Sequence, residues 1–318
     1  MIRYCTPLLE MNSSTKIRGT VAYFGESEKE TLVKSLKDGE FMENITAKYV
    51  NRIHAIKFAD LSEHTLKDIK KVFIDAVGCM LAGVNSEIGK ATLKVFDGFG
   101  GVSESSVLGT GKKFPAAIAA YINAETCVGP DLSDNYQPES IIISHPGEAV
   151  IPAVLALAEK RETTLDKFYT AVVAGYETAG RYAKAIEPRR PEAYGFSPHY
   201  TLAAAAGCGK LLDFSCVQMQ KNLGIAGALA PLSSTLSMWG FRKRPASWHR
   251  DMPGHANFSA VIASAFAQTD FEASHGIFDT ETDFFKMTGS ENYDTKQLFE
   301  KWGNPYVIEE ITFKQVPS

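Results

Sequence analysis

Residues 131–161 read DLSDNYQPESIIISHPGEAVIPAVLALAEKR, and the rest of the chain is understood from them. Two carboxylates, Asp131 and Asp134, open a polar loop that reaches His145-Pro146. From there Val150, Val154, Leu155 and Leu157 recur at the spacing of one helix face. Pro146 suits a first helical position, because the N–H it lacks is one that a helix leaves unpaired in any case. His145 then stands where unpaired amides and the positive end of the helix dipole emerge, a place that favours an anionic group. Two readings stay open. Asp131 and Asp134 are turn residues and His145 a helix cap, or the three form a carboxylate–imidazole arrangement able to share a proton near neutral pH.

Helical patterns flank this stretch on both sides. Residues 41–58 place Ile45, Tyr49, Val50 and Ile53 on one stripe. Ser62 offers an N-cap to a helix carrying Leu66, Ile69, Val72, Phe73, Ala76, Val77 and Met80, with Gly83 as its stop. The Gly- and Ser-rich run 98–113, with Ser106-Val107-Leu108 inside it, predicts a loop or a brief strand. Pro115 starts an alanine-rich helix whose Ala116, Ala117, Ala119 and Ala120 allow a neighbouring helix to approach closely. Residues 165–186 form a long helix with Phe168, Tyr169, Val172, Val173, Tyr176 and Ala183 inward. Glu177 and Arg181 in it stand four apart, as in a surface ion pair. Small-residue helices follow at 201–212 and 223–236, the second broken by Pro231.

No alternating strand pattern occurs before residue 270, so the expected fold is mainly α, with an all-helical domain over 41–270. The charged, weakly periodic residues 1–40 are expected as a loosely attached N-terminal segment. Beyond Asp270 the character changes: 271–289 is aromatic and acidic, 293–302 suggests a helix, and 306–313 (YVIEEITF) alternates like a half-buried strand. Residues 271–318 are therefore expected to begin a second, smaller α+β domain, left incomplete.

Composition narrows the function. A chain of 318 residues with 45% hydrophobic residues can bury a sizeable core in one large or two modest domains. Its net charge of −4 argues against nucleic-acid and membrane-surface partners. Cys5, Cys79, Cys127, Cys208 and Cys216 are scattered without a C-x-x-C pair, as expected of reduced thiols in the cytoplasm or an organelle matrix. No apolar run is long enough to span a membrane. Phosphate-binding glycine loops and a G-x-S-x-G elbow are absent, and the cysteines lack iron–sulfur spacing. The tract 241–258, FRKRPASWHRDMPGHANF, gathers Arg242, Lys243, Arg244, His249, Arg250 and His255, either to meet a polyanionic ligand or as an exposed basic loop. His249, Asp251 and His255 lack a recognisable metal-binding frame, and His54 and His64 read as surface residues. His199, just before a helix, is an active-site candidate or a cap.

The order of these pieces resembles the MmgE/PrpD family of 2-methylcitrate dehydratases, cis-aconitate decarboxylases and related epimerases. The resemblance rests on FADLSEHTLKDIKKVFIDAVGCMLAG (58–83), AAIAAYINAE (116–125), the Asp131 loop, ISHPGEAVIPAVLALAE (143–159), VVAGYETAGR (172–181), AAAAGCGKLL (203–212) and LGIAGALA (223–230). It implies a large helical domain whose chain leaves to build a smaller α+β domain and returns, of which this chain holds the helical part and the first strand beyond it. Asp131 matches the first acid of the family's D-x-D-D loop and Asp134 the last. Ser133 replaces the middle acid, and Asn135 stands where a threonine often contacts substrate. His145 matches a histidine implied in proton transfer, and His199 the next active-site histidine. His249 falls on a family lysine with Gly254 and Ala256 in register and Arg250 beside it, and Lys314 falls on a second.

The implied catalytic set is thus His145, Asp131 and His199, and the substrate-binding set Asp134, Asn135, His249, Arg250 and Lys314, with no metal and no cofactor. The expected activity is that of a metal-independent dehydratase, decarboxylase or isomerase acting, as a homodimer, on a small di- or tricarboxylate such as 2-methylcitrate or cis-aconitate. The alternative is a truncated or degenerate homologue that serves as a binding or oligomerisation module.

Overall fold

The Ser62 hydroxyl accepts the Thr65 N–H at 3.0 Å and opens the helix against which the site is built, α2 (Glu63–Gly83). The structure, a computed structural model, describes residues 44–187, 197–231, 253–279, 284–288 and 290–317. His249, Arg250 and the segment 1–40 lie outside them. The helices are α1 (Ile45–Ala55), α2, α3 (Glu87–Phe96), α4 (Ala116–Val128), α5 (Pro146–Arg161), α6 (Leu165–Ala185), α7 (Ser197–Leu211), α8 (Cys216–Leu229), α9 (Pro253–Ala267) and the single turn α10 (Phe284–Met287). The fold is mainly α, as expected. Among the described residues no single helix is long and apolar enough to cross a membrane.

The periodic residues do bury. Tyr49, Val50 and Ile53 of α1 and Ile69, Val72, Ala76 and Met80 of α2 are sealed from water. Ala203 to Ala206 of α7 are fully buried, so α5, α6 and α9 close on a seam of methyl groups. Gly83 does not end α2 through a left-handed conformation, because Val84 after it is still right-handed. A Cβ at Gly83 would stand 1.7 Å from the Thr126 carbonyl oxygen of α4, so glycine is there for close helix approach.

Several elements differ from expectation. Residues 98–113 contain all but the last residue of a hairpin, β1 (Ser105–Val107) pairing antiparallel with β2 (Lys112–Phe114) and tied to α5 by the Ser105 hydroxyl on the Ala156 carbonyl at 2.7 Å. Helix α3, capped by Ser86, had no counterpart in the periodicity reading. Helix α8 starts earlier than expected because Ser215 and Gln218 form a capping box, and it stops at Leu229, before Pro231. In 293–302 only a 3₁₀ turn forms, Thr295–Leu298. The alternating run 306–313 is mostly the 3₁₀ turn Val307–Glu310, followed by β4 (Ile311–Thr312), two residues that pair antiparallel with β3 (Asn135–Tyr136). Residues 44–318 form one compact unit, and the described part of 271–317 lies on the helices within it.

Glu177 and Arg181 correct the surface-pair reading. Both are buried, Nε to Oε2 is 2.6 Å, and the guanidinium also donates to the Glu300 carbonyl and lies 4.7 Å from the Trp302 ring centre. The other Glu177 oxygen accepts the Val307 N–H. Burial pushes the Glu177 carboxyl up, against the pull of Arg181. The i,i+4 spacing is the same in and out of water. What distinguishes this pair are partners 119 and 130 residues away in sequence.

Arg181→Ala leaves Glu177 buried without its cation and is expected to lower unfolding free energy by about 3–5 kcal/mol. A loss under about 1 kcal/mol in denaturant titration would show that the pair is not holding the C-terminal segment. Gly78 has open space around it and Gly83 has none. Gly78→Ala should therefore raise stability by about 0.5–1 kcal/mol, and Gly83→Ala should lower it by roughly 1–3 kcal/mol. Thermal melts that rank the two the other way would contradict this packing.

Candidate active site

The loop between α4 and α5 is held from three directions. At its start Asp131 adopts a left-handed backbone, φ 55°, and its N–H returns to the Val128 carbonyl at 2.9 Å. Its carboxylate accepts Lys314 Nζ at 2.8 Å, and the same ammonium lies 3.4 Å from the Asp131 carbonyl oxygen. The Lys314 side chain is only 4% exposed. The pairing of β3 with β4 places it there, because Lys314 follows Thr312 by two residues and Asn135 opposite Thr312 belongs to the same loop as Asp131.

Asp134 is fully buried, its Oδ1 accepting the Gly147 N–H and its Oδ2 the Tyr176 O–H, each at 2.8 Å. Gly147 is the second residue of α5, so Asp134 satisfies an amide that the helix itself cannot. A Cβ at Gly147 would stand 2.9 Å from that Oδ1. Burial raises the Asp134 carboxyl to about 7, with the nearby Asp75 charge pushing the same way. The Gly147 and Tyr176 hydrogen bonds and Lys314 pull it back.

Asp75, on α2, was not anticipated. Burial raises its carboxyl to about 6, against the pull of the nearby Asp134 backbone and of Lys314, and its Oδ2 is buried with no hydrogen-bond partner among the described residues. A signal existed in the sequence: a carboxylate set between Val72 and Ala76, beside the stripe that α2 buries.

At the far end of the loop, His145 is the N-cap residue of α5 and 6% exposed. Its Nδ1 lies 2.9 Å from the Asp134 carbonyl oxygen, and its N–H donates to the Tyr200 hydroxyl at 3.1 Å. A carbonyl only accepts, so Nδ1 carries a proton, and in the neutral form of the ring this leaves the lone pair on Nε2. His199 is not before its helix but in the first turn of α7, fully buried, with Nε2 3.3 Å from the Ser144 hydroxyl and its ring stacked on Tyr182. Asn135 is 7% exposed, and its Oδ1 has no hydrogen-bond partner among the described residues.

The loop and β4 thus bring Asp131, Asp134, Asn135, His145 and Lys314 into one region, to which α2 adds Asp75, α6 adds Tyr176 and α7 adds His199 and Tyr200. Two cavities lie elsewhere. One of about 650 Å³ is bounded by Tyr136, Ile143, Lys184 and Glu310, and an apolar groove of about 700 Å³ by Phe73, Ile74, Leu165 and Phe168. Neither is lined by His145, Asp131 or Lys314. Among the described residues no group of three or more His, Cys, Asp or Glu side chains is arranged to hold a metal ion.

The comparison of sequences shows the class of this helical body: the chain belongs to the MmgE/PrpD family, whose N-terminal domain matches residues 47–296. It is similar to the cis-aconitate decarboxylase of Homo sapiens, 23% identical over 290 residues that make up 87% of this chain and 57% of that protein. It is also similar to the cis-aconitate decarboxylase of Mus musculus, 24% identical over 194 residues, 58% of this chain and 39% of that protein. The chain therefore spans little more than half the length of the curated relatives it matches, or less.

A carboxyl held near 7 in the folded chain and near its usual value of about 3.9 when unfolded binds its proton more tightly in the folded state. The contribution of Asp134 to stability is thus complete below about pH 4 and is lost as the pH rises through about 7. Asp134→Asn, which can still accept the Gly147 N–H and can donate to the Tyr176 hydroxyl in place of accepting from it, is expected to flatten the fall in melting temperature across that window. A variant whose melting profile follows the wild-type slope would place the titration elsewhere.

Proposed function

We propose that this chain is a metal-independent lyase or isomerase acting on small di- or tricarboxylates, with His145 as the proton-transfer group. The observation that carries the reading is the His145 ring itself. It is fixed through Nδ1 by the Asp134 carbonyl at the start of α5, so that Nε2 is the basic atom. In an elimination, Nε2 takes the proton from the carbon beside a carboxylate, the electron pair forms the double bond, and hydroxide leaves with a proton from an acid. In a decarboxylation Nε2 first takes up a proton from solvent, the C–C bond breaks, carbon dioxide leaves, and the electron pair takes that proton from the imidazolium.

Either path develops enolate-like charge, which the α5 N-terminus and the Lys314 ammonium stabilise. Lys314 exchanges Asp131 for a substrate carboxylate, and Asn135 offers its amide beside it. His199 assists from behind Ser144. The family resemblance assigns carboxylate contacts to His249 and Arg250, which lie outside the described residues, and Asp134 serves the substrate indirectly, by holding the loop. The names of the relatives make cis-aconitate the first substrate to test. A second reading is a binding or oligomerisation module without catalysis.

His145→Ala should cut turnover by about 10²–10⁴-fold with little change in melting temperature, while His64→Ala, on the exposed face of α2, should change neither. Product chromatography against cis-aconitate, 2-methylcitrate, citrate and iminodisuccinate checks this, and treatment with a chelator should leave the rate unchanged. Retention of most of the rate by His145→Ala would make His145 a helix cap only. An inactive wild type would favour the module.

A further inference from the structure

The cavity of about 650 Å³ bounded by Tyr136 and Lys184 has no role in the chemistry derived for His145. Asn135 and Tyr136 are consecutive in β3 and point to opposite faces, so the cavity lies behind the strand that carries Asn135 into the candidate site. Its volume is that of a small-molecule site. Tyr136, Ile143 and Val307, all buried, give it an apolar floor.

Charge around this floor is sorted by burial. Arg181 lines the cavity although it is only 4% exposed. Its Nε donates to Glu177 and its Nη1 to the Glu300 carbonyl, which leaves Nη2 with no partner among the described residues. Lys184, three residues on and so on the same face of α6, is half-buried and weakly held. Its Nζ stands 4.0 Å from Glu310 and 5.4 Å from the centre of the Tyr136 ring. The carboxylates lie farther out: Glu139, Asp294, Glu300 and Glu310 are exposed, as is Lys301, and Glu187 is half-buried. A buried guanidinium with a donor to spare favours an anion, and a carboxylate set between Arg181 and Lys184 would take charged hydrogen bonds from both. A hydrocarbon chain attached to it would cover the floor. The acidic mouth opposes a second negative charge at the far end of the ligand.

We propose that this cavity is a second ligand site, taking a small monocarboxylate with an apolar body, its carboxylate on Arg181 and Lys184. Binding here is independent of any turnover at His145 and is read without it.

Hexanoate is the probe, titrated calorimetrically into the whole chain beside hexylamine, which carries the opposite charge on the same body. Hexanoate is expected to bind and hexylamine to bind more weakly. Lys184→Gln should weaken hexanoate by about tenfold or more, the worth of a charged hydrogen bond. Arg181 stays in place because Glu177 is buried against it. Excess citrate should not displace hexanoate. In wild type labelled at isoleucine and valine methyls, Overhauser contacts should run from the hexanoate chain to Ile143 and Val307. Absence of binding up to tens of millimolar hexanoate overturns the proposal, and so does tighter binding of hexylamine, displacement by citrate, or an unchanged affinity in Lys184→Gln. Contacts to Ile74 in place of Ile143 would put the ligand in the apolar groove on α2 and overturn it equally. Should Lys184→Gln not fold, the methyl contacts in wild type decide.

Discussion

The Asp134 carboxylate is the point on which this molecule turns. It is fully buried, and burial of a charge is tolerated only where hydrogen bonds or counter-charges replace water. Here the Gly147 N–H and the Tyr176 O–H fill both oxygens, and the position of α5 against α6 follows from having to reach the same side chain. The geometry of His145 then depends on the backbone of the same residue. Changing the side chain at 134 would loosen the helix start, the loop and the histidine together.

The rest of the frame is stiff enough to hold such a loop. Helices that meet through alanine and glycine leave little room for rotamer change, so their axes are set by backbone contact. Gly83 against Thr126 joins α2 to α4 without an intervening side chain. Asp75, eight residues before Gly83 on α2, is thereby referenced to the helix from which the loop departs. The buried Glu177–Arg181 pair performs a similar task at the other end, fastening the turn before β4 to α6.

Much of the helical body was legible in the sequence because burial there repeats every three to four residues. Tyr49, Ile69, Val72 and Met80 announce their faces without any knowledge of their neighbours. The Pro146 signal placed the start of α5 and made His145 its cap. Less was legible where one interaction replaces a pattern. Val307 and Ile308 are adjacent and both buried, because Glu177 takes the Val307 N–H that a strand would have used. At the candidate site the acids and the histidine could be named, but not what each touches. A carboxylate can be tied to an amide, a hydroxyl or an ammonium, and only the fold decides, as it does for Asp131 with Lys314 and Asp134 with Tyr176.

The two-residue ladder of Asn135–Tyr136 with Ile311–Thr312 also has a temporal consequence. Asp131 and Lys314 are 183 residues apart in the chain. During synthesis the helices can pack through contacts closer in sequence, whereas this ion pair must wait until Lys314 has emerged. Closing so long a loop is entropically slow unless the intervening body has already condensed. The acid loop is thus translated early and completed late, and until then Asp131 has no Lys314 to neutralise it. A nascent chain would therefore acquire its helical body before its charge-balanced site.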